Sequence, residues 1–452
     1  MTAPARTAAY HALRTIADER ADLPTALAES RRHLSDDRDR ALAAEIVTGT
    51  LRWQRCLDHI SEHFTSRPIA KIDRVVVLIL RLSLYQLLHL DRVPASAVVD
   101  DAVDLARQMR KASATGFVNA VLRSTQRQRH RLSLPPRPET DAPREAVLAY
   151  LGVTHSHPEW LVARWLDRHG FEATERWVRF DNETPRMTLR ANTIRSSRDE
   201  VATTLRLAGV ETEPTRYAPN GLITMSGNPL RSSVAEGTFF VQDEASQLIS
   251  LAVGAQPGER IMDLCASPGG KTVAMAGDMG NRGLVVACDV RPRRVALLRD
   301  TVRASGASHI HVVHVAPTGE LPFVSLADRV LVDAPCSGLG TIRRDPDIRW
   351  RRHEGDLAGF AQAQGALLER AAPLVRPGGR LVYATCSSEP EENEDVVDAF
   401  LTRHPEFLLV DLRANGVDPL LSLVNDRGML YTRPSEHGLE AFFAAALERA
   451  RT

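Results

Sequence analysis

The sequence predicts a doubly wound α/β domain in its second half, placed behind an all-α domain and a small α+β region. Three observations carry this reading. Apolar residues recur at intervals of three and four from about residue 5 to residue 128, the period of helices with one buried face. A stretch holding Pro135, Pro136, Pro138 and Pro143 then breaks the pattern. After Phe239, short apolar runs alternate with helical stretches, as a parallel sheet with right-handed crossovers requires.

The helical part is clearest in "ALAAEIVTGTLRWQRCLDHI" (41–60) and "SAVVDDAVDLARQMRKA" (96–112), and "TGFVNAVLRS" (115–124) closes it. We expect an all-α domain over 1–130 and a linker over 131–154. Residues 155–235 are mixed: "PEWLVARWLDRHG" (158–170) has helical spacing with Gly170 at its end, and "RMTLRANT" (186–193) alternates like a strand. The α/β domain is expected over 236–452, with strands at 260–262, 284–287, 330–332 and 381–384.

A chain of 452 residues suits about three domains. Hydrophobic residues at 43% and charged ones at 25% fit a globular protein rather than a disordered or membrane one. The first residues lack an apolar signal core, and Arg81 cuts short the best membrane candidate, Val75 to Leu80, so a cytoplasmic protein without membrane contact is expected. The formal net charge is zero, so any binding of nucleic acid must come from local patches. Lys and Arg together number 57, yet the lysines are only Lys71, Lys111 and Lys271. Five scattered cysteines form neither a disulfide framework nor a zinc spacing, so reduced thiols and no metal are expected.

In a doubly wound sheet, ligands bind outside the carboxyl ends of the strands. The first strand ends in "DLCASPGGKT" (263–272): Asp263 closes it, Gly269 and Gly270 let backbone approach a ligand, and a helix starts near Lys271. The second strand ends on Asp289, where a carboxylate can accept bonds from ribose hydroxyls or cap the next helix. A nucleoside cofactor is implied. The nucleotide-triphosphate loop needs a glycine where Cys265 stands, which argues against a nucleotide-driven helper protein, and the dinucleotide fingerprint is missing too. Asp263 would repel a pyrophosphate but tolerate a cation, and the sulfonium and ammonium of S-adenosylmethionine fit.

Two cysteines follow strand ends. Cys336 lies just past the strand ending at Asp333, in "VLVDAPCSG" (330–338), and Cys386 lies just past the one in "LVYATCSS" (381–388), with one helical segment, about 354–372, between them. Neighbouring strands stand about 4.8 Å apart, so both thiols would face one pocket. Methylation of a pyrimidine carbon can use such a pair. One thiolate adds to carbon 6 and makes carbon 5 nucleophilic, and a second group removes the carbon 5 proton so that the first thiol can leave. Asp333 is placed to bond the ring N3. Chemistry alone leaves open which thiol attacks.

The motifs "DLCASPGGKT", "VDAPCSGLGTIRRDPDIRW" (332–350) and "YATCSSEPEENEDVV" (383–397) resemble those of RNA (cytosine-5) methyltransferases of the Sun/Fmu (RsmB) type. "FFVQDEASQL" (239–248) resembles the opening of their catalytic domain. "DRALAAEIVTGTLRW" (39–53) and "LYQLLHLDRVPASAVVDDAV" (84–103) resemble their NusB-like RNA-binding domain. The resemblance implies an α/β Rossmann-like S-adenosylmethionine-dependent methyltransferase domain, preceded by an all-α NusB-like domain and a small α+β region. It implies Cys386 as nucleophile, Cys336 as the thiol that helps release product, and Asp333 as their acidic neighbour. Carried residue by residue, it implies a cofactor site of Asp263, Cys265, Ala266, Ser267, Pro268, Gly269, Gly270, Lys271, Asp289, Arg294 and Asp333. The implied product is 5-methylcytosine in RNA, with small-subunit ribosomal RNA as partner and the chain acting as a monomer. Two departures stand out. "HVAPTGE" (314–320) offers Ala316, Pro317 and Thr318 where the family has an acid facing the adenine, and "HGLEAFFAAAL" (437–447) lacks an Asp-Gly before its paired phenylalanines. The first departure keeps a second reading in view, an RNA-binding ribosome-assembly factor with a degenerate catalytic domain.

Cys56, Cys265 and Cys288 read as small buried hydrophobes. His155 and His157 lack metal-ligand company and read as structural. "RRDPDIRWRR" (343–352) gathers five arginines around Trp350, suited to phosphate contacts and base stacking, and "RQRHR" (127–131) is a lesser basic patch.

Overall fold

In the computed structural model the described residues are 2–231, 237–324, 326–415 and 418–451. They fall into two compact units. The first holds residues up to Thr184 together with Ile342–Glu354, and the second holds Pro185–Thr341 and Gly355 onward.

The first unit is helical. Its helices run over Pro4–Ala17, Leu23–Arg32, Asp37–Arg52, Gln54–Thr65, Arg74–His89, Ala95–Gln108 and Thr115–Gln128. Sequence sets several of their starts, since Asp22, Asp36 and Asp73 each accept a backbone N–H of the first turn. The apolar stripes converge on one core containing Tyr10, Ile46, Leu57, Ile79, Leu84, Val99 and Leu122. The expected linker is more ordered than its prolines suggest. A helix forms over Arg144–Ala149 and passes into a π turn, Tyr150–Thr154, because Tyr150 and Leu151 find buried positions there. Gly170 ends its helix as expected: with φ near +75° and ψ near 176° it breaks the helical path, and a second helical stretch runs on to Asn182, with Trp165 and Trp177 stacked and buried across the break.

The second unit opens with four strands, β1 (Thr188–Ala191), β2 (Glu211–Pro214), β3 (Gly221–Ser226) and β4 (Phe239–Val241), in the antiparallel order β2-β3-β1-β4. A helix, Arg198–Leu207, covers them. It starts at a complete capping box between Ser197 and Glu200.

The larger sheet contains β5 (Arg260–Asp263), β6 (Leu284–Asp289), β7 (Ile310–His314), β8 (Ala327–Asp333), β9 (Val375–Thr385), β10 (Phe407–Val410), β11 (Leu430–Thr432) and β12 (Phe442–Arg449), in the order β10-β12-β9-β8-β5-β6-β7 with β11 alongside β12. The strands β5 to β9 are parallel, as the alternating pattern predicts. The sheet as a whole is mixed, however, because β12 returns antiparallel between β9 and β10. Its run of small apolar residues suits a strand buried on both faces in either direction. The period of two is visible in the cores: Val330, Val332, Leu381 and Tyr383 pack on one face, and Leu331, Val382 and Ala384 on the other. Helix Pro292–Ser305 between β6 and β7 starts on its proline and stops on Gly306 in the left-handed region. No described helix is long and apolar enough to cross a membrane.

Candidate active site at the strand ends

Strand β5 ends on Asp263, which is 1% exposed. Thr272 Oγ1 donates to its Oδ2 at 2.7 Å, while Oδ1 has no hydrogen-bond partner. Burial, and then the nearby charge of Asp333, raises this carboxyl to about 7 against the opposing bond from Thr272. The turn that follows has a cis Ser267–Pro268 peptide and Gly269 at φ +106°. A Cβ at Gly269 would lie 2.9 Å from Leu298 and 3.1 Å from Thr301, so conformation and space both demand glycine there. Gly269 caps the helix Gly270–Asp278, which puts free N–H groups at the mouth of the strand ends.

Asp289 ends β6. Its Oδ1 accepts the Arg291 N–H at 2.9 Å, which braces the turn, but the N-cap of the next helix is Arg291, so Asp289 does not take the capping role that the sequence left open. Arg294 is exposed on the next helix, and its carbonyl accepts from Ser267 Oγ at 3.1 Å. Ala266 is buried and its N–H continues the ladder to Cys288 O at 2.8 Å. Burial pushes Cys265 far up and Cys288 up to about 12, as inert thiols require. Cys56, in the first unit, behaves alike, pushed up to about 12 by burial.

Lys271 points away from the glycine turn. Its Nζ lies 2.7 Å from Asp333 Oδ2 and 5.6 Å from the centre of the Phe442 ring. Burial alone would lower the lysine, but the charge and hydrogen bond of Asp333 prevail and raise it.

The register of β8 and β9 pairs Asp333 with Ala384, so the two cysteines leave adjacent strands almost in step. Their sulfurs stand 3.0 Å apart, and the Cys386 N–H donates to Cys336 Sγ at 3.3 Å. Both are half-buried, and both are free thiols. The hydrogen bond to Cys386, followed by burial, holds the Cys336 thiol well above its ordinary value.

The loop after β7 has no acid at 316–318, as its sequence says, but it is not slack. Arg370 donates from Nη2 to Ala316 O (2.9 Å), from Nη1 to Pro317 O (3.1 Å) and from Nε to Gly319 O (2.8 Å). The sequence held no signal for this clasp. It comes from a helix, Leu357–Ala371, that is distant in the chain.

The arginine cluster is corrected by the structure. Arg349 is 1% exposed within the first unit, where it donates to Ser156 O (2.8 Å), Asn182 Oδ1 (3.0 Å), Asp181 O (3.2 Å) and Arg52 O (3.3 Å). Trp350 donates its Nε1–H to Leu51 O at 2.6 Å and packs on the helical core. Arg343 lies over the Phe180 ring at 3.9 Å. These side chains serve the interior of that unit instead of forming a base-stacking platform. His157 is structural as expected: it is fully buried, with Nδ1 against His155 O and Nε2 3.4 Å from Asp181.

Three acids, Asp263, Asp289 and Asp333, therefore end neighbouring strands at the carboxyl edge of a parallel sheet, and Asp333 is paired with Lys271. Such a site favours a cationic nucleoside cofactor, and the orphan Oδ1 of Asp263 offers it a buried acceptor. Fold and site together define an S-adenosylmethionine-dependent methyltransferase. Residues 250–448 match the family described as 16S rRNA methyltransferase RsmB/F, residues 157–230 its ferredoxin-like domain, and residues 3–127 the NusB family. The probable ribosomal RNA small subunit methyltransferase B of Bacillus subtilis (strain 168) is 35% identical, with 91% of each chain covered. That of Synechocystis sp. is 36% identical over 99% of each. Among solved structures, PH0851 superimposes with a TM-score of 0.79 at 28% identity over 99% of both chains. A methyltransferase homolog protein from Pyrococcus horikoshii shares the fold, with a TM-score of 0.57 at 24% identity over 67% of this chain and 98% of its own. The chain belongs to the RsmB/F methyltransferase family.

Proposed function

We propose that the protein forms 5-methylcytosine in small-subunit ribosomal RNA through covalent addition of Cys386 to the base. The observation that carries this is the pair of sulfurs 3.0 Å apart at the ends of neighbouring strands, beside the Lys271–Asp333 ion pair. The family's relatives, named for the small-subunit RNA, support the substrate.

The cofactor, held by Asp263, the 265–271 turn, Asp289 and Arg294, supplies an electrophilic methyl group. The protein's own residues do the rest. The Cys386 thiolate adds to carbon 6 of the flipped base. As electron density builds on the ring N3, that nitrogen takes up a proton from solvent, and its N–H donates to the Asp333 carboxylate. Cys336 stays protonated while Cys386 carries charge, because that neighbour is the main reason its proton is held so tightly. Once the Cys386 sulfur is bonded to carbon, its charge is gone, so Cys336 can give its own proton to solvent and, as the thiolate, take the carbon 5 proton. Electrons then return to expel Cys386. The order of attack followed by release is thus written into the coupling of the two thiols.

The test is direct. Cys336→Ala is expected to accumulate a protein–RNA adduct stable to denaturing electrophoresis, and Cys386→Ala to form none; the reverse pattern overturns the assignment. A scaffold reading has one observation behind it, the missing acid at 316–318. Calorimetric titration separates the two, since a scaffold without catalysis need not bind the cofactor.

A further inference from the structure

One buried carboxylate joins the two thiol loops, and the chemistry above does not use it. Glu392 ends the short turn Pro390–Glu392 and is fully buried. Its Oε2 accepts from the Ser337 backbone N–H at 2.8 Å and from Gln364 Nε2 at 3.0 Å. Its Oε1 accepts from Ser387 Oγ at 2.5 Å. Ser337 follows Cys336 and Ser387 follows Cys386, so one side chain grips the residue after each thiol.

The bonds around it close the frame. Gln364 also donates to Pro335 O at 3.1 Å, on the other side of Cys336. The hydroxyls of Ser337 and Ser387 lie 3.2 Å apart. Asn393 accepts from Thr385 Oγ1 at 2.5 Å and donates to Ser387 O at 3.0 Å, pinning the backbone on both sides of Cys386. Tyr383 donates its hydroxyl to Glu392 O at 2.5 Å. A fully buried carboxylate is costly unless it is well bonded, and here it accepts from neutral donors in the two loops and from Gln364 on the helix Leu357–Ala371. Strand pairing by itself stops at Asp333 and Ala384, short of either sulfur.

We propose that Glu392 is a positioning residue that clamps the Cys336 and Cys386 loops together, so that the thiols are aligned before the substrate arrives. Its kinetic consequence rests on the proposed function, whereas the alignment itself does not. The alignment can be read without RNA. Diamide takes one hydrogen from each thiol and is reduced to the hydrazine while the sulfurs join, so its rate of closure measures their approach.

In the full-length protein, Glu392→Ala is expected to slow this closure by about 100-fold, the scale of a misplacement near 1 Å. Glu392→Gln should stay within about threefold, because an amide still accepts from Ser337 and Gln364 and donates to Ser387 Oγ. Cofactor affinity by calorimetry should change by less than about twofold in both, since neither touches that site. The turnover number for a ribosomal RNA fragment should fall in parallel with closure, with KM for the cofactor unchanged. Closure at the wild-type rate in Glu392→Ala overturns the proposal, as does equal loss in Glu392→Gln or loss of cofactor affinity in step with turnover. Should Glu392→Ala not fold, Ser387→Ala is expected to slow closure about tenfold, the worth of one buried hydrogen bond, and a wild-type rate there overturns the proposal equally. A wild-type protein that aligns its thiols yet makes no 5-methylcytosine would count against the function and leave Glu392 judged.

Discussion

At the scale of single residues, Asp263 shows how burial can be turned to recognition. A carboxyl raised to about 7 is partly protonated at neutral pH, and a bound cation draws it back to the charged form. Cofactor affinity should therefore rise with pH and level off above about 7, with a slope of at most about tenfold per pH unit below it. The sign follows because the proton competes with the cation. Asp263→Asn should weaken binding and flatten the profile, as calorimetry from pH 5.5 to 8.5 would read; an unchanged profile would remove Asp263 from the site. The candidate residues that the fold gathers at the strand ends were legible in the sequence because each sits next to punctuation: an acid that ends an apolar run, two glycines, a Pro-Cys. Glu392 was not. Among the acids of "PEENE" nothing in the sequence marks this one, and only the fold turns it inward.

At the scale of elements, the loop from Cys336 to Thr341 is held where it is by its small residues. Gly340 donates its N–H to Cys386 O at 2.9 Å and accepts from Ala441 N at 2.9 Å, stitching the thiol loop between β9 and the start of β12. A Cβ at Gly340 would meet Ala441 O at 2.0 Å and Cys386 O at 2.8 Å, both backbone atoms that cannot swing aside. Gly340→Ala is expected to lower the turnover number by about 100-fold through misplacement of the thiols, while cofactor affinity holds within a few fold. Methylation kinetics set beside calorimetry would check it, and a loss confined to cofactor binding would refute it. The parallel strands could be read from period and spacing. The direction of β12 could not, because a doubly buried strand has the same composition whichever way it runs. Nor could the clasp of Arg370 on Ala316, Pro317 and Gly319, since a helix-face arginine looks the same in sequence whether it meets water or a loop.

At the scale of the whole molecule, the sequence misleads most where charge is dense. Residues 343–352 read as a basic patch for phosphate contacts and base stacking, yet Arg349 is buried among four carbonyl oxygens of the first unit. Buried guanidinium groups occur where several acceptors converge, and linear sequence does not show convergence. Removing the group strands those acceptors. Arg349→Ala is expected to destabilise the first unit by about 3 kcal/mol. Thermal unfolding of the full chain, followed by hydrogen exchange, should show the loss among the helices below residue 184 and little change in the sheet; uniform loss would mean that the two units melt as one.

The placement of Ile342–Glu354 in the first unit also sets an order of events during synthesis. An N-terminal domain ordinarily completes itself as soon as it clears the ribosome. Here the helices emerge first, and Leu51 O, Ser156 O and Asp181 O lack their donors until Arg349 and Trp350 have been translated, after β5 to β8. The last piece of the front half is thus translated from within the back half, and a ribosome stalled between the two would leave both incomplete.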